Sequence, residues 1–92
     1  MEFTFDVQKN ARLIATRGIS FEDAIEAISS GFLLDVVENP NQGTYPGQII
    51  IVVQIKDYPH CVPADVRGEV YHLRTVYPCR KFKHLFVGDP NG

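Results

Sequence analysis

The sequence of 92 residues lacks the features that mark membrane and secreted proteins. No apolar run approaches the ~20 residues that a transmembrane helix requires. The first residues, MEFTFD, do not show the basic and then apolar order of a secretory signal. We therefore expect a cytoplasmic protein that does not contact a membrane. The length fits a single domain, 1–92, in which 87–92 form a frayed tail.

Cysteines are few, and familiar catalytic motifs are missing. The only cysteines are Cys61 and Cys79, without the spacing of zinc ligands. They fit reduced thiols better than a disulfide framework, and a single bridge in a secreted protein is the alternative. The chain has no phosphate-binding glycine loop, no G-x-S-x-G, no H-E-x-x-H and no calcium loop. These absences exclude the enzyme classes that such motifs identify.

The first third of the chain predicts two short helices. Asp6 is placed to cap a helix over 7–16, which carries apolar residues at helical spacing. Ser20 and Asp23 form an S-x-x-D capping pattern at the start of a second helix over 21–30. We expect these helices to form a hairpin or an L, because the turn between them is very short.

The rest of the chain predicts strands. FLLDVVE is a short apolar run, and the turn-rich segment NPNQGTYPGQ predicts a long exposed loop. The run over 49–55 predicts a buried central strand. The proline-containing segment KDYPHCVPADVRG predicts a connection that pairs this strand antiparallel with a long strand over 70–81. KFKHLF fits a final strand or a short helix. We therefore expect an α+β fold, with two N-terminal helices packed on a small, mainly antiparallel sheet of three or four strands.

The predicted strand over 70–81 carries the main candidates for function. Alternation along a strand divides its side chains between an aromatic, apolar face, Tyr71, Leu73, Thr75 and Tyr77, and a second face, Val70, His72, Arg74 and Val76. Pro78 stops the strand, and Arg80 and Lys81 follow it. Such a cationic strand edge suits a phosphate, and it suits the carboxylates of a protein partner equally well.

Charge is distributed unevenly, although the net charge is only −2. Residues up to Ile55 include three basic and seven acidic side chains, whereas 66–87 include five basic and one acidic. This imbalance places positive charge on the strand over 70–81, as a nucleic-acid binder would require. An imbalance of this size also arises by chance in a short chain.

The cationic strand suggests cleavage of RNA by its own ribose 2′-hydroxyl. This reaction needs a base, an acid and cations that stabilise a pentavalent phosphate, and it requires neither a metal nor a cofactor. His72 is the candidate base or acid, Arg74 and Arg80 are candidates for holding the phosphate, and Tyr77 could donate a proton or stack on a base. Each also has a structural interpretation, as a satisfied histidine, an ion-pair partner or a packing residue.

Three parts of the sequence point to a known family, Phe3, Asp6 and Lys9, the segment GISFEDA at 18–24 and TVYPCRK at 75–81. In these parts the sequence resembles BrnT-type toxins and the related DUF4258 domains, which belong to the wider RelE-like group of small ribonuclease folds. The chain departs from the family at Thr16-Arg17, where BrnT-like sequences usually have Lys-His before the glycine.

The resemblance implies the toxin of a type II toxin–antitoxin pair. Such a toxin is a metal-independent endoribonuclease that blocks translation, and a small antitoxin that binds DNA neutralises it. The implied partners are this antitoxin and RNA, in a homodimer or a toxin–antitoxin hetero-oligomer. The resemblance adds Lys9 and Arg17 to the candidates for RNA binding, which already include Lys81 and Lys83 from the basic segment after Pro78.

Two further interpretations of the same residues remain open. The first is a non-catalytic interaction module, a degenerate toxin fold that binds a protein through its cationic strand edge. The second is a structural domain whose sheet edge forms a dimer. Replacing His72 and Arg80 separates these interpretations from the first, because only a ribonuclease would lose RNA cleavage.

Overall fold

A computed structural model describes residues 1–85, with the backbone alone for 83–85. It contains two helices, α1 (Val7–Arg17) and α2 (Phe21–Ser29). Six strands accompany them, β1 (Glu2–Phe5), β2 (Leu33–Glu38), β3 (Gln48–Ile55), β4 (Tyr58–Arg67), β5 (Val70–Leu73) and β6 (Tyr77–Pro78), and a 3-10 helix (Arg80–Leu85) follows. None of the described helices is long and apolar enough to cross a membrane. The predicted tail over 87–92 lies outside the described residues.

Both predicted helices are present, with the predicted capping residues. Oδ1 of Asp6 accepts a hydrogen bond from the backbone N–H of Lys9 at 3.0 Å. The hydroxyl of Ser20 accepts from the N–H of Asp23 at 3.0 Å, and the Asp23 carboxylate accepts in return from the N–H of Ser20 at 2.9 Å. This reciprocal pair satisfies two N–H groups that have no partner within a helix. Gly18 ends α1 in the left-handed region, with φ of 68°.

The strands form one mixed sheet in the order β1-β5-β4-β3-β2, and β6 follows β5 along the same side of β4. β1 is parallel to β5, and the other pairings are antiparallel. The predicted α+β class is confirmed, but the sheet has six strands instead of three or four. β1 was not predicted, because four residues before a helix cap give too short a pattern to identify a strand.

The prediction that KDYPHCVPADVRG is a connection is wrong, since most of it forms β4. Lys56 and Asp57 have φ of 52° and 61°, as in a tight hairpin turn, and they join β3 directly to β4. β4 lies between β3 and β5, so the predicted direct pairing of β3 with the strand at 70–81 does not occur. Prolines in a sequence usually indicate a break, but a strand tolerates proline where no ladder hydrogen bond is needed.

The backbone N and O atoms of both prolines in β4 point away from β3. The carbonyl of Pro59 accepts from the N–H of Cys79 at 2.9 Å, and the carbonyl of Pro63 accepts from the N–H of Arg74 at 2.8 Å. In an antiparallel ladder the N and O atoms of one residue point to the same side. Both missing N–H groups therefore point towards β5 and β6, and the ladder with β3 is complete.

The predicted long strand is interrupted by an extra residue. Leu73 pairs with Ala64, and Tyr77 pairs with Cys61, so that 74–76 lie opposite only two residues of β4. One extra residue on one of two paired strands defines a β-bulge. It shifts every later side chain to the other face of the sheet. The ladder weakens at this point because Pro63 has no N–H to return to Arg74.

Because of the bulge, Val76 and Tyr77 do not lie on the faces that alternation predicts for them. Tyr71 and Leu73 pack on the side of the sheet that the helices cover, together with Val76, for which alternation predicts the opposite face. Tyr77 packs on the other side, against Cys61 and its neighbours. Tyr71 and Tyr77 therefore do not share an aromatic face.

The core has one layer on each side of the sheet. The larger layer lies under the helices and buries residues from α1, α2, β3, β4 and β5, among them Leu13, Phe21, Ala24, Ile51, Val53, Val62 and Leu73. The smaller layer is on the other side and contains Ile50, Val52 and Cys61, with Leu34, Val37, Tyr77, Cys79 and Phe82 against them. We call this second side the open face, and it holds the candidate site.

Candidate functional site

A groove with two adjoining compartments lies on the open face. The Lys9 compartment, of about 390 Å³, is lined by Lys9, Asn39, Tyr45, Gln48, Pro63, Arg74, Thr75 and Tyr77. The Arg67 compartment, of about 360 Å³, is lined by residues 44–48, 65–67 and Arg74. Tyr45, Gln48 and Arg74 line both, so the two compartments lie side by side, and we call them together the groove.

A row of polar side chains crosses the open face of the sheet, and two of its members, Gln48 and Asp65, line the groove. Gln48 pairs with Asp65, Asp65 with His72 and His72 with Thr4 in the strand register, so all four lie on the open face. Gln48 is buried. Its Oε1 accepts from Nδ2 of Asn39 at 2.7 Å, and its Nε2 donates to Oδ1 of Asp65 at 3.2 Å. Since both ends of the Gln48 amide have partners, this part of the floor has a fixed arrangement.

Arg74 lies above this floor beside Asp65. Its Nη1 is 3.6 Å from Oδ2 of Asp65, and the two side chains are 51% and 40% exposed, respectively. An ion pair at such exposure contributes about 0–1 kcal/mol to stability. The pair therefore orients the guanidinium more than it stabilises the fold, and it leaves Arg74 accessible to an anion.

The loop between β2 and β3 forms the wall of the groove and is held by side-chain amides. Nε2 of Gln42 donates to the carbonyls of Asn39 and Gln48 at 2.6 and 3.2 Å, and its Oε1 accepts from the N–H of Gly47 at 2.9 Å. The carbonyl of Asn41 accepts from the N–H of Tyr45 at 2.9 Å. The predicted loop is exposed as expected, but these bonds fix its path.

The groove combines three of the residues that the sequence analysis selected. Lys9 comes from α1, Arg74 from the bulge and Tyr77 from β6, and all line the Lys9 compartment. Two cations and a tyrosine therefore line one cavity, although up to 68 residues of sequence separate them. The bulge makes this possible, because it places Tyr77 on the same face as Arg74.

The other candidate residues lie at separate places. Nη1 of Arg17 donates to the carbonyl of Val76 at 2.6 Å, which attaches the end of α1 to the bulge. Nδ1 of His72 is 2.9 Å from Oγ1 of Thr4, across the pairing of β1 with β5. Arg80 and Lys81 are exposed at the start of the 3-10 helix, and Nζ of Lys81 lies 5.1 Å from the centre of the Phe82 ring.

Lys83 belongs to the backbone of the same 3-10 helix, Arg80–Leu85. Its side chain lies outside the described part of the structure, so its predicted contact with RNA stays a prediction. The tail segment KFKHLF, for which a strand and a helix were both predicted, forms a 3-10 helix as far as Leu85.

Sequence reasoning missed, among other groove residues, an exposed aromatic and an exposed cation, Tyr45 and Arg67. Tyr45 is in the turn-rich loop and Arg67 is at the end of β4. The available signal was the concentration of Asn and Gln around Tyr45, since such side chains often fix turns. Arg67 carried no signal, because its strand was taken for a connection.

The phenol of Tyr77 is a proton donor at neutral pH. Burial raises the pKa of Tyr77, and the nearby thiols of Cys61 and Cys79 add to this rise. Burial also raises the pKa of Cys61 to about 12, with Cys79 contributing further. Tyr77 and Cys61 therefore stay protonated at neutral pH.

Comparisons with known proteins do not assign this chain to a family. No family model matches it, and no significant match was found among curated proteins or solved structures. In residues 1–85, no group of three or more His, Cys, Asp or Glu side chains is arranged to hold a metal ion. The functional argument therefore depends on the groove and its residues.

The groove can bind an anion. Lys9 and Arg74 provide positive charge in the Lys9 compartment, and a guanidinium binds two phosphate oxygens at once. Tyr77 lines the same compartment, and its phenol lies beside the Cys61 thiol. The Asp65 carboxylate lies beside Arg74 in the adjoining compartment.

Proposed function

We propose that this protein is the endoribonuclease toxin of a type II toxin–antitoxin pair, acting in the cytoplasm on RNA bound in the open-face groove. The observation that carries the proposal is the joint lining of the Lys9 compartment by Lys9, Arg74 and Tyr77. The resemblance of the sequence to BrnT-type toxins also supports the proposal, since Lys9 belongs both to the motif on which that resemblance rests and to the lining of the compartment.

The proposed reaction is attack of a ribose 2′-hydroxyl on the adjacent phosphate. Arg74 and Lys9 stabilise the negative charge that develops on the pentavalent phosphate. Tyr77 donates its proton to the leaving 5′-oxygen, and the Asp65 carboxylate accepts the proton of the 2′-hydroxyl. His72, the neighbour of Asp65 across β4 and β5, is the second candidate for the base.

Exposed cations outside the compartment extend the surface for RNA. Arg80 and Lys81 flank the open face at the start of the 3-10 helix, next to the cluster that contains Tyr77. Phosphate contacts of this kind increase affinity without reading sequence. When no RNA is bound, the same cations can bind acidic side chains of a small DNA-binding antitoxin. The antitoxin would then cover the groove and stop cleavage.

The test is controlled induction of the chain alone in a bacterial host, with growth and total RNA followed in the same culture. We expect growth arrest and RNA fragmentation. Replacing Arg74 by Ala, or Lys9 by Ala, should reduce cleavage by about 100-fold or more, in line with the loss of one charge-stabilising group. Arg12→Ala is the matched control, because Arg12 is an exposed cation of the same helix that does not line the groove.

The outcomes separate this function from a non-catalytic interaction module. If induction of the unaltered chain neither slows growth nor degrades RNA, the result would favour a module whose groove binds only a protein partner. Arrest that persists in the Lys9→Ala, Arg74→Ala double variant would show that another site carries the activity.

A further inference from the structure

Tyr45 is exposed at a position that packing does not explain. Its side chain is 47% exposed and lines both compartments of the groove. Its backbone is fixed on both sides, since its N–H donates to the carbonyl of Asn41 at 2.9 Å and its carbonyl accepts from the N–H of Gln48 at 3.1 Å. A large aromatic ring held at a boundary between two cavities is a surface on which a planar group can stack.

Cations line both of the compartments that Tyr45 borders. Lys9 lines one compartment, Arg67 lines the other, and Arg74 lines both. A nucleic-acid strand has a phosphate on each side of every planar base, and this order matches the cation, ring and cation of the groove. Proteins that bind single-stranded nucleic acids combine these elements, a positive groove for the backbone and aromatic rings for the bases.

The size of the compartments fits one nucleotide each. Their volumes of about 390 and 360 Å³ are at the lower end of the ~300–1,000 Å³ that ligand clefts usually have. A base must leave its stack and its pairing to lie on Tyr45. Bases of unpaired RNA are available for such stacking, whereas those of an A-form duplex are not.

We propose that the open-face groove binds two consecutive nucleotides of single-stranded RNA, with a base stacked on Tyr45 and the flanking phosphates on Lys9 with Arg74 and on Arg67. This inference rests on the proposed function and specifies its substrate as unpaired RNA. Tyr45 is a residue for substrate binding, and the reacting phosphate lies in the Lys9 compartment.

The first experiment measures binding without cleavage. Fluorescence anisotropy is followed with labelled RNA hexamers whose riboses are 2′-O-methylated, because they lack the attacking hydroxyl. Tyr45→Ala should weaken binding by about 5- to 150-fold, the range that corresponds to loss of one base–aromatic stack. Tyr45→Phe should bind within about twofold of the unaltered chain, since the stacking ring is kept.

Two controls belong to this experiment. Phe32→Ala removes an exposed aromatic ring that lies at a different part of the surface and should not change binding. A duplex of the same sequence should bind more weakly than the single strand and should be insensitive to Tyr45→Ala. Circular dichroism confirms that each variant is folded.

The second experiment tests the two phosphates. Lengthening the methylated probe from two to three nucleotides adds one internucleotide phosphate, and it should strengthen binding to the unaltered chain but not to Arg67→Gln. In the hexamer, Arg67→Gln should reduce the slope of log affinity against log salt concentration by about 0.7, the value for one phosphate contact with a single strand.

The possible failures are distinguishable. If the chain cleaves RNA but Tyr45→Ala binds and cleaves normally, the stacking inference is wrong and the proposed function stands. Binding of single strands that depends on Tyr45, without any cleavage, would support the inference and contradict the nuclease. Equal binding of single strand and duplex, or equal losses in Tyr45→Ala and Tyr45→Phe, would overturn the inference.

Discussion

The buried thiol of Cys61 on the open face makes the free energy of unfolding depend on pH. Its side chain is 1% exposed and packs with Val52 and Tyr77. Burial raises its pKa from 9.0 to about 12. Between these values the native state keeps a proton that the unfolded state releases, so the free energy of unfolding falls as pH rises. The stabilisation from the protonated thiol is complete below about pH 9 and decreases above it.

We therefore expect the urea midpoint to decrease between pH 9 and 10.5 by more than it changes between pH 7 and 8. Cys61→Ala should be less stable at pH 7, because it leaves a cavity, but should lose less stability over the alkaline range. Cys79→Ala is the comparison, since it keeps the buried thiol but removes a neighbour that raises its pKa, so its alkaline decrease should lie between those of the unaltered chain and Cys61→Ala. An alkaline decrease of the same size in Cys61→Ala would mean that other groups cause it. Tyr77 adds a decrease of the same sign at still higher pH, because its pKa is also raised.

The sequence identified some residues of the groove because their chemistry is distinctive. The chemistry of a guanidinium and a phenol suited to RNA pointed to Arg74 and Tyr77, the family resemblance pointed to Lys9, and all three line one compartment. Tyr45 and Arg67 were not selected, because their role depends on which loop and strand lie beside Arg74. Side-chain type is visible in a sequence, whereas proximity between separate segments depends on pairing that a sequence does not display.

At the scale of elements, local signals predicted the helices and failed for the strands. The caps at Asp6 and Ser20 are contained within four residues, so the helix starts were predicted correctly. β4 was missed because Pro59 and Pro63 resemble breaks until the orientation of their missing N–H groups is known. The bulge at 74–76 was missed for a similar reason, since it exists only relative to the register of β4.

Arg17 is expected to stabilise this bulge. The charge-assisted hydrogen bond from its Nη1 to the carbonyl of Val76 is partly buried, and it satisfies a backbone group within an interrupted ladder. Arg17→Ala should lower the free energy of unfolding by about 1.5–3 kcal/mol. RNA cleavage should also fall, because the bulge sets the positions of Arg74 and Tyr77.

Urea denaturation and RNA cleavage assays on the same preparations check this expectation. Arg12→Ala removes an exposed cation from the same helix and should change stability by less than about 0.5 kcal/mol. Arg17→Lys should be nearly as harmful as Arg17→Ala, since a shorter, point-like cation does not reproduce the geometry of the guanidinium. If Arg17→Ala matches Arg12→Ala in both assays, the bond does not hold the bulge.

At the scale of the whole molecule, the groove is assembled from segments that are distant in the chain. The helix α1 contributes Lys9, the loop before β3 contributes Tyr45, and the bulge and β6 contribute Arg74 and Tyr77. Formation of the site therefore requires that α1 is correctly docked. Part of that docking comes from Asn10, which is buried next to Lys9 and bonds to the start of α2.

Asn10 connects the two helices through both ends of its amide. Its Oδ1 accepts from the backbone N–H of Phe21 at 2.7 Å, and its Nδ2 donates to the carboxylate of Glu22. Asn10→Ala would leave the buried N–H of Phe21 without this acceptor, which costs about 1–3 kcal/mol. For a domain of this size, each kcal/mol lowers the melting temperature by about 4–8 °C.

Thermal denaturation of Asn10→Ala should therefore show a melting temperature lower by at least 4 °C. Gln8→Ala is the matched control, because Gln8 is an exposed polar residue two positions earlier in α1. RNA affinity measured well below the melting transition should fall in Asn10→Ala and not in Gln8→Ala, since displacement of α1 moves Lys9 away from Arg74. A stability loss without a change in affinity would show that Lys9 contributes little to binding, and equal melting temperatures would show that the helices dock through their apolar contacts alone.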